Sequence, residues 1–92
     1  QANLERGMNE LVKSGLLINV ATHRYYLPSQ LKDVAKIVQR MAASEPLTVR
    51  GFRDETGIGR NVAIEVLEYF DGKGFTRRQG NDRIILNPTI FD

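Results

Sequence analysis

Three residues, Gly57-Ile58-Gly59, separate two segments that each carry apolar side chains at helical spacing, and this break constrains the chain more than any other feature. Before it, Thr48 offers an N-cap hydroxyl to a short helix bearing Val49 and Phe52, and Gly57 supplies the stop. After it, Val62, Ala63, Val66, Leu67 and Phe70 fall on one face of a helix from Arg60 to Lys73, with Gly74 as its stop. So short a link between two amphipathic helices is the mark of a helix–turn–helix.

The flanking segments complete the unit. Downstream, Phe75–Gln79 and Arg83–Asn87 read as strands joined by the turn-rich tip Gly80-Asn81-Asp82. Upstream, Leu31, Val34, Ala35, Val38, Met41 and Ala42 trace an apolar helical face that Ser29 caps and Glu45-Pro46 ends. Leu47 provides a short third strand. The order helix, strand, helix, turn, helix, strand, wing, strand defines an α+β winged helix–turn–helix.

The first 27 residues echo the last third of that unit. Leu4, Met8, Leu11 and Val12 form a helical stripe, Gly15 stops it, and Leu16–Val20 and Arg24–Leu27 form a ribbon through Ala21-Thr22-His23. One helix ends in Lys-Ser-Gly and the other in Gly-Lys-Gly, each followed by a hairpin. Residues 1–27 are therefore expected to be the C-terminal part of a preceding winged helix, and 28–92 a complete one, divided at Pro28-Ser29. A helix and hairpin bury little by themselves, so the first part must lean on something else.

Composition narrows the function. The absence of cysteine excludes disulfides and thiolate metal sites, and one histidine, His23, makes a histidine metal site or triad untenable. No Gly-rich loop followed by Lys and Ser/Thr is present, and the adjacent carboxylates of Asp54 and Glu55 diverge. The chain is thus expected to be neither an enzyme nor a holder of cofactor or metal. With no apolar run near 20 residues and no signal peptide, no membrane partner is expected. The chain opens within a helical pattern, which leads us to expect a monomeric fragment of a larger cytoplasmic protein.

The net charge of +2 is unevenly placed. Six of the 13 basic residues and three of the 11 acids lie in 1–44, leaving seven and eight in 45–92. Binding by the second part must therefore rest on where its arginines sit. Arg60 and Asn61 open a helix whose free N–H groups favour phosphate, and Gly59 before them lets a ligand backbone approach. Arg77, Arg78 and Arg83 flank the wing tip, while Gln79, Asn81 and Asp82 offer groups for base edges. Arg50 and Arg53, three apart, share a face of the preceding helix. Tyr25, Tyr26, Phe70 and Phe75 fall within apolar runs and read as core, and His23 as a loop residue.

The ligand class turns on the outward face of the Arg60–Lys73 helix, which carries Asn61, Glu65 and Glu68. Two glutamates with no lysine beside them suit a DNA major groove poorly. Positive groups at the helix start and the wing suit an RNA hairpin, whose narrow major groove excludes a helix and whose loop bases are splayed out. Two alternatives stay open: the DNA-binding winged helix of a transcription regulator, and a winged helix used for protein contact.

Residues 52–83, FRDETGIGRNVAIEVLEYFDGKGFTRRQGNDR, resemble the last winged-helix domain of the bacterial selenocysteine-specific elongation factor family, SelB. Carrying the resemblance are Phe52-Arg53-Asp54, Gly57, Arg60, Ala63-Ile64, Leu67-Glu68-Tyr69-Phe70-Asp71, Thr76-Arg77-Arg78, Gly80 and Arg83. It implies a piece of a GTP-dependent factor that delivers selenocysteinyl-tRNA to the ribosome. Its last domain would grip the tip of the messenger's selenocysteine insertion hairpin beside the recoded UGA. The GTPase itself would reside elsewhere in the full-length factor. Where the family commonly has Ser and Lys around the arginine, this chain has Gly59 and Asn61. Fewer phosphate contacts at the helix start, and heavier reliance on the wing, are expected.

Overall fold

A computed structural model describes the backbone over 2–92 and side chains from Gly7 onward, so the side chains of Leu4 and Arg6 lie outside what is described. The elements run α1 (Ala2–Lys13), β1 (Ile18–Ala21), β2 (Arg24–Tyr26), α2 (Pro28–Ala42), β3 (Leu47–Thr48), α3 (Val49–Thr56), α4 (Arg60–Gly72), β4 (Thr76–Gln79) and β5 (Asp82–Ile85). β1 and β2 form an antiparallel ribbon, and β3, β5 and β4 an antiparallel sheet in that order. Helices α2, α3 and α4 with this sheet make a winged helix–turn–helix, as the residue pattern predicts.

Each break in the pattern has a local cause. Thr48 Oγ1 accepts from the Gly51 N–H at 2.9 Å, capping α3, and Gly57 ends that helix at φ +74°, a left-handed conformation suited to glycine. Thr48→Ala should therefore cost about 1 kcal/mol. In a domain of this size that is roughly 4–8 °C in Tm, measurable by a calorimetric scan. An unchanged Tm would show that the cap contributes nothing.

Helix α2 starts two residues earlier than expected. Pro28 stands at its first position, where the missing N–H costs nothing, and Leu27 takes the cap position. Gln30 reaches back to accept the Leu27 N–H at 2.8 Å, while Ser29 lies inside the first turn. This corrects the assignment of Ser29 as the cap.

The first strand of the ribbon and the first strand of the wing also begin later than expected, for one shared reason. Gly15 (φ +83°) folds the chain so that the Leu16 N–H returns to the Leu11 carbonyl at 3.0 Å. Gly74 (φ +78°) does the same for Phe75 and Phe70, again at 3.0 Å. In both places a residue expected to open a strand instead closes a helix. At the wing, Gln79 pairs with Asp82, so the tip is only Gly80-Asn81, with Gly80 at φ +62°.

The core lies between α2, α3, α4 and the sheet. Leu31, Val38, Phe52, Ala63, Leu67, Phe70 and Phe75 have no exposed surface. Phe70, Phe75 and Phe91 meet edge to face with centroids 5.1–5.2 Å apart, so the C-terminal tail closes the aromatic cluster. Ile18, Val20 and Tyr26 of the ribbon pack against the same core, and Arg24 Nε meets Glu65 Oε1 of α4 at 2.6 Å. The surface on which the first part leans is α4.

Candidate nucleic-acid interface

Between α3, the start of α4 and the wing lies an open groove of about 640 Å³. Helical spacing explains two of its walls. Arg50 and Arg53 are one turn apart on α3, and Arg60, Ile64 and Glu68 run down one stripe of α4. The wing supplies Arg78, Asn81, Asp82 and Arg83 as the third wall. Seven of the expected site residues thus converge from three elements on one concavity.

Four do not line it. Gly59 and Asn61 are exposed at the α4 start, and Arg77 and Gln79 stand exposed on β4. Alternation along β4 explains the last two: Thr76 and Arg78 share one face of the strand, Arg77 and Gln79 the other. Gly59 has an ordinary extended backbone (φ −70°), and a Cβ there would meet nothing within 4 Å. The chain itself does not require glycine here; the space before the helix is simply open. No side chain caps α4, so its first N–H groups face that space with the positive end of the helix dipole.

The arginines differ in how free they are. Arg50 and Arg60 are exposed, and Arg78, also exposed, donates through Nε to the Gly80 carbonyl at 2.7 Å, bracing the tip. Arg53 is half-buried, and its buried Nε has no hydrogen-bond partner among the described residues. Arg83 is different in kind, with 3% of its side chain exposed. Its Nε and Nη2 donate to Asp71 Oδ2 at 3.2 and 3.1 Å. The other carboxylate oxygen of Asp71 accepts from the Thr76 hydroxyl at 2.6 Å.

Of the acids of the groove, sequence reasoning assigns only Asp82 to the site and misses Asp54 and Glu68. Glu68 and Asp54 line it beside the arginines, as does Asp82. Spacing alone could have placed Glu68, which lies two turns after Arg60. The outward face of α4 is also divided: Glu68 looks into the groove, while Glu65 lies under the ribbon, paired to Arg24. A surface of this kind offers cations to phosphate and carboxylate acceptors to the amino groups of exposed bases. No cluster of His, Cys, Asp or Glu among the described residues could hold a metal, and none of their helices is long and apolar enough to cross a membrane.

Fold and groove together define a winged helix–turn–helix with an arginine-lined cleft between its helices and its wing. Residues 39–85 match the family described as "Elongation factor SelB, winged helix", and the chain belongs to that family. Selenocysteine-specific elongation factors of Escherichia coli and Haemophilus influenzae are each 33% identical to it, over 85 and 81 residues. These alignments cover 91% and 87% of this chain but only 14% and 13% of those proteins. Among solved structures it is similar to the mRNA-binding domain of elongation factor SelB from E. coli in complex with SECIS RNA. The TM-score is 0.83 at 32% identity, covering 87% of this chain and 67% of that one. The resemblance carried by residues 52–83 is thereby borne out.

Proposed function

We propose that this chain is the messenger-binding part of a selenocysteine-specific elongation factor, holding the tip of the selenocysteine insertion hairpin. Doing so would tether the factor beside the recoded UGA, with the ribosome as a partner of the full-length protein. The fragment acts by binding alone; GTP hydrolysis belongs to other parts of such a factor. Residues 28–92 form the RNA-binding winged helix, and 1–27 the end of the one before it.

The observation that carries this reading is the groove, where arginines from α3, α4 and the wing meet around a helix start left uncapped. In the site we assign, Arg50, Arg53, Arg60 and Arg78 take the RNA backbone. Gly59 and Asn61 admit it to the helix start, and Gln79, Asn81 and Asp82 meet loop bases. Arg77, on the other face of β4, supports from the wing flank.

The packing of the ribbon disfavours the DNA alternative. A DNA-reading winged helix lays the exposed face of its second helix along the major groove. Here β1 runs against α4, and Arg24 is seated on Glu65 of that face. A duplex groove would have to displace the ribbon first. The same burial leaves the helix start and wing free for a compact hairpin tip.

A gel-shift comparison of hairpin RNA, single-stranded RNA and duplex DNA at one salt concentration tests the reading. The hairpin should bind tightest. Preference for duplex DNA, or no salt-dependent binding to any of the three, would overturn it. With about four phosphates neutralised, log affinity should fall with log salt at a slope of roughly −3 to −4. Arg60→Ala should weaken hairpin binding about five- to thirtyfold and flatten that slope by roughly one.

A further inference from the structure

We propose that Arg83 serves this interface as a positioning residue. With Asp71 and Thr76 it clamps the wing to the end of α4, and it does not contact RNA phosphate itself. The inference rests on the RNA-binding reading above and changes the task of one of its arginines.

Arg83 sits in the middle of the wing, directly opposite Arg78. Two like charges paired across strands repel unless something separates their roles. The structure does this with one carboxylate. Arg83 is 3% exposed and aims two nitrogens at Asp71, whereas Arg78 stays exposed at the groove. A guanidinium so buried could swing out to a phosphate only by giving up its two bonds to the half-buried Asp71 carboxylate, which is unfavourable.

Asp71 is itself explicable only as part of this arrangement. It lies in the last turn of α4, where the negative end of the helix dipole opposes a carboxylate. Its two oxygens are taken by the two strands of the wing: Oδ1 by Thr76 of β4, Oδ2 by Arg83 of β5. Thr76 is as buried as Arg83. One side chain on the helix therefore fixes β4 at its base and β5 one pair short of the tip. The direction in which β4 and β5 carry Arg78 and Asn81 toward the arginines of α3 and α4 follows from it. Preorganising the wing in this way removes the ordering cost that a mobile wing would bring to binding.

The two roles for Arg83 predict opposite signs at Asp71. If Arg83 contacted phosphate, removing the neighbouring acid would free a cation and strengthen binding. As a clamp, Asp71→Asn should weaken hairpin affinity about five- to twentyfold, at a temperature where circular dichroism shows the variant folded. Arg83→Met should weaken it similarly while leaving the salt slope unchanged, in contrast to Arg60→Ala. Arg83→Lys should recover part of the loss, and Asp71→Asn with Arg83→Met together should bind no worse than the weaker single variant. Thr76→Val, which spares the ion pair and the fold, should give a smaller loss of the same sign. Tighter or equal binding by Asp71→Asn, or a slope flattened by one in Arg83→Met, would overturn the proposal. If the unmodified protein failed to bind the hairpin, the functional reading would fall. The clamp would still be read from the amide resonances of Gly80 and Asn81, which should shift or broaden in Asp71→Asn. Their invariance would refute it.

Discussion

Phe70→Ala is expected to lower the unfolding free energy by about 3–5 kcal/mol, the loss typical of removing a fully buried aromatic ring. Phe70 has no exposed surface and contacts the rings of both Phe75 and Phe91. It also sits on the face of α4 that joins the helix to the sheet. The truncation would leave a cavity bordered by Phe75 and Phe91, held by separate stretches of backbone that cannot both collapse into it. Domains of this size are stable by only about 5–15 kcal/mol, so much of the folded population is at stake. Urea denaturation should show a lower midpoint with an unchanged slope. A loss below about 1 kcal/mol would mean that the site repacks, and that the aromatic cluster is not the keystone of this small core.

How much of this fold was legible beforehand depends on which physical signal marks each feature. Periodicity placed α2, α3 and α4 because a helix in a small domain must bury one face, and Phe52, Leu67 and Phe70 do so. Capping chemistry placed the ends of α3, since Thr48 and Gly57 each have one plausible task. The strand starts were misplaced at Leu16 and Phe75 because apolar character cannot separate a strand residue from one that folds back to close a helix. Only the preceding glycine, in its left-handed conformation at Gly15 and Gly74, separates the two.

The site was legible as a set of residues and not as a set of roles. Spacing identified the arginines, because helix and hairpin geometry dictates which positions can reach a common edge. Whether an arginine is free is decided by neighbours distant in sequence, and no local pattern reports that. Arg83 and Asp71 are 12 residues apart, and Arg24 and Glu65 are 41. The same limit hid the separate tasks of two acids: Glu65 and Glu68 look equivalent along the helix, yet one is paired to the ribbon and the other faces the arginines. Asp71, Thr76 and Arg83 are all among the residues on which the resemblance rests, and the clamp gives that combination a physical task.

Removing three arginines together should almost abolish hairpin binding while leaving the domain folded. In the variant Arg53→Met, Arg60→Ala, Arg78→Ala, each change removes a contact worth roughly 1–2 kcal/mol, or about five- to thirtyfold in affinity. The three share one groove and one ligand, so their effects will not simply multiply. A loss of at least about 100-fold is expected even so, with the salt slope falling from roughly −3 or −4 to about −1. Stability should move the other way at one position. The buried Nε of Arg53 has no partner among the described residues, so it loses hydration without gaining a hydrogen bond. Replacing it with methionine, whose terminal methyl ends about where Nε stands, removes that unsatisfied donor and should leave the RNA-free domain as stable or slightly more so. Arg53→Met measured alone would then raise or hold the urea midpoint while weakening the hairpin complex, the pattern of a side chain held in an unfavourable state for the sake of a ligand. Reduced stability with unchanged affinity would instead assign Arg53 to the fold and move the interface toward Arg60 and the wing.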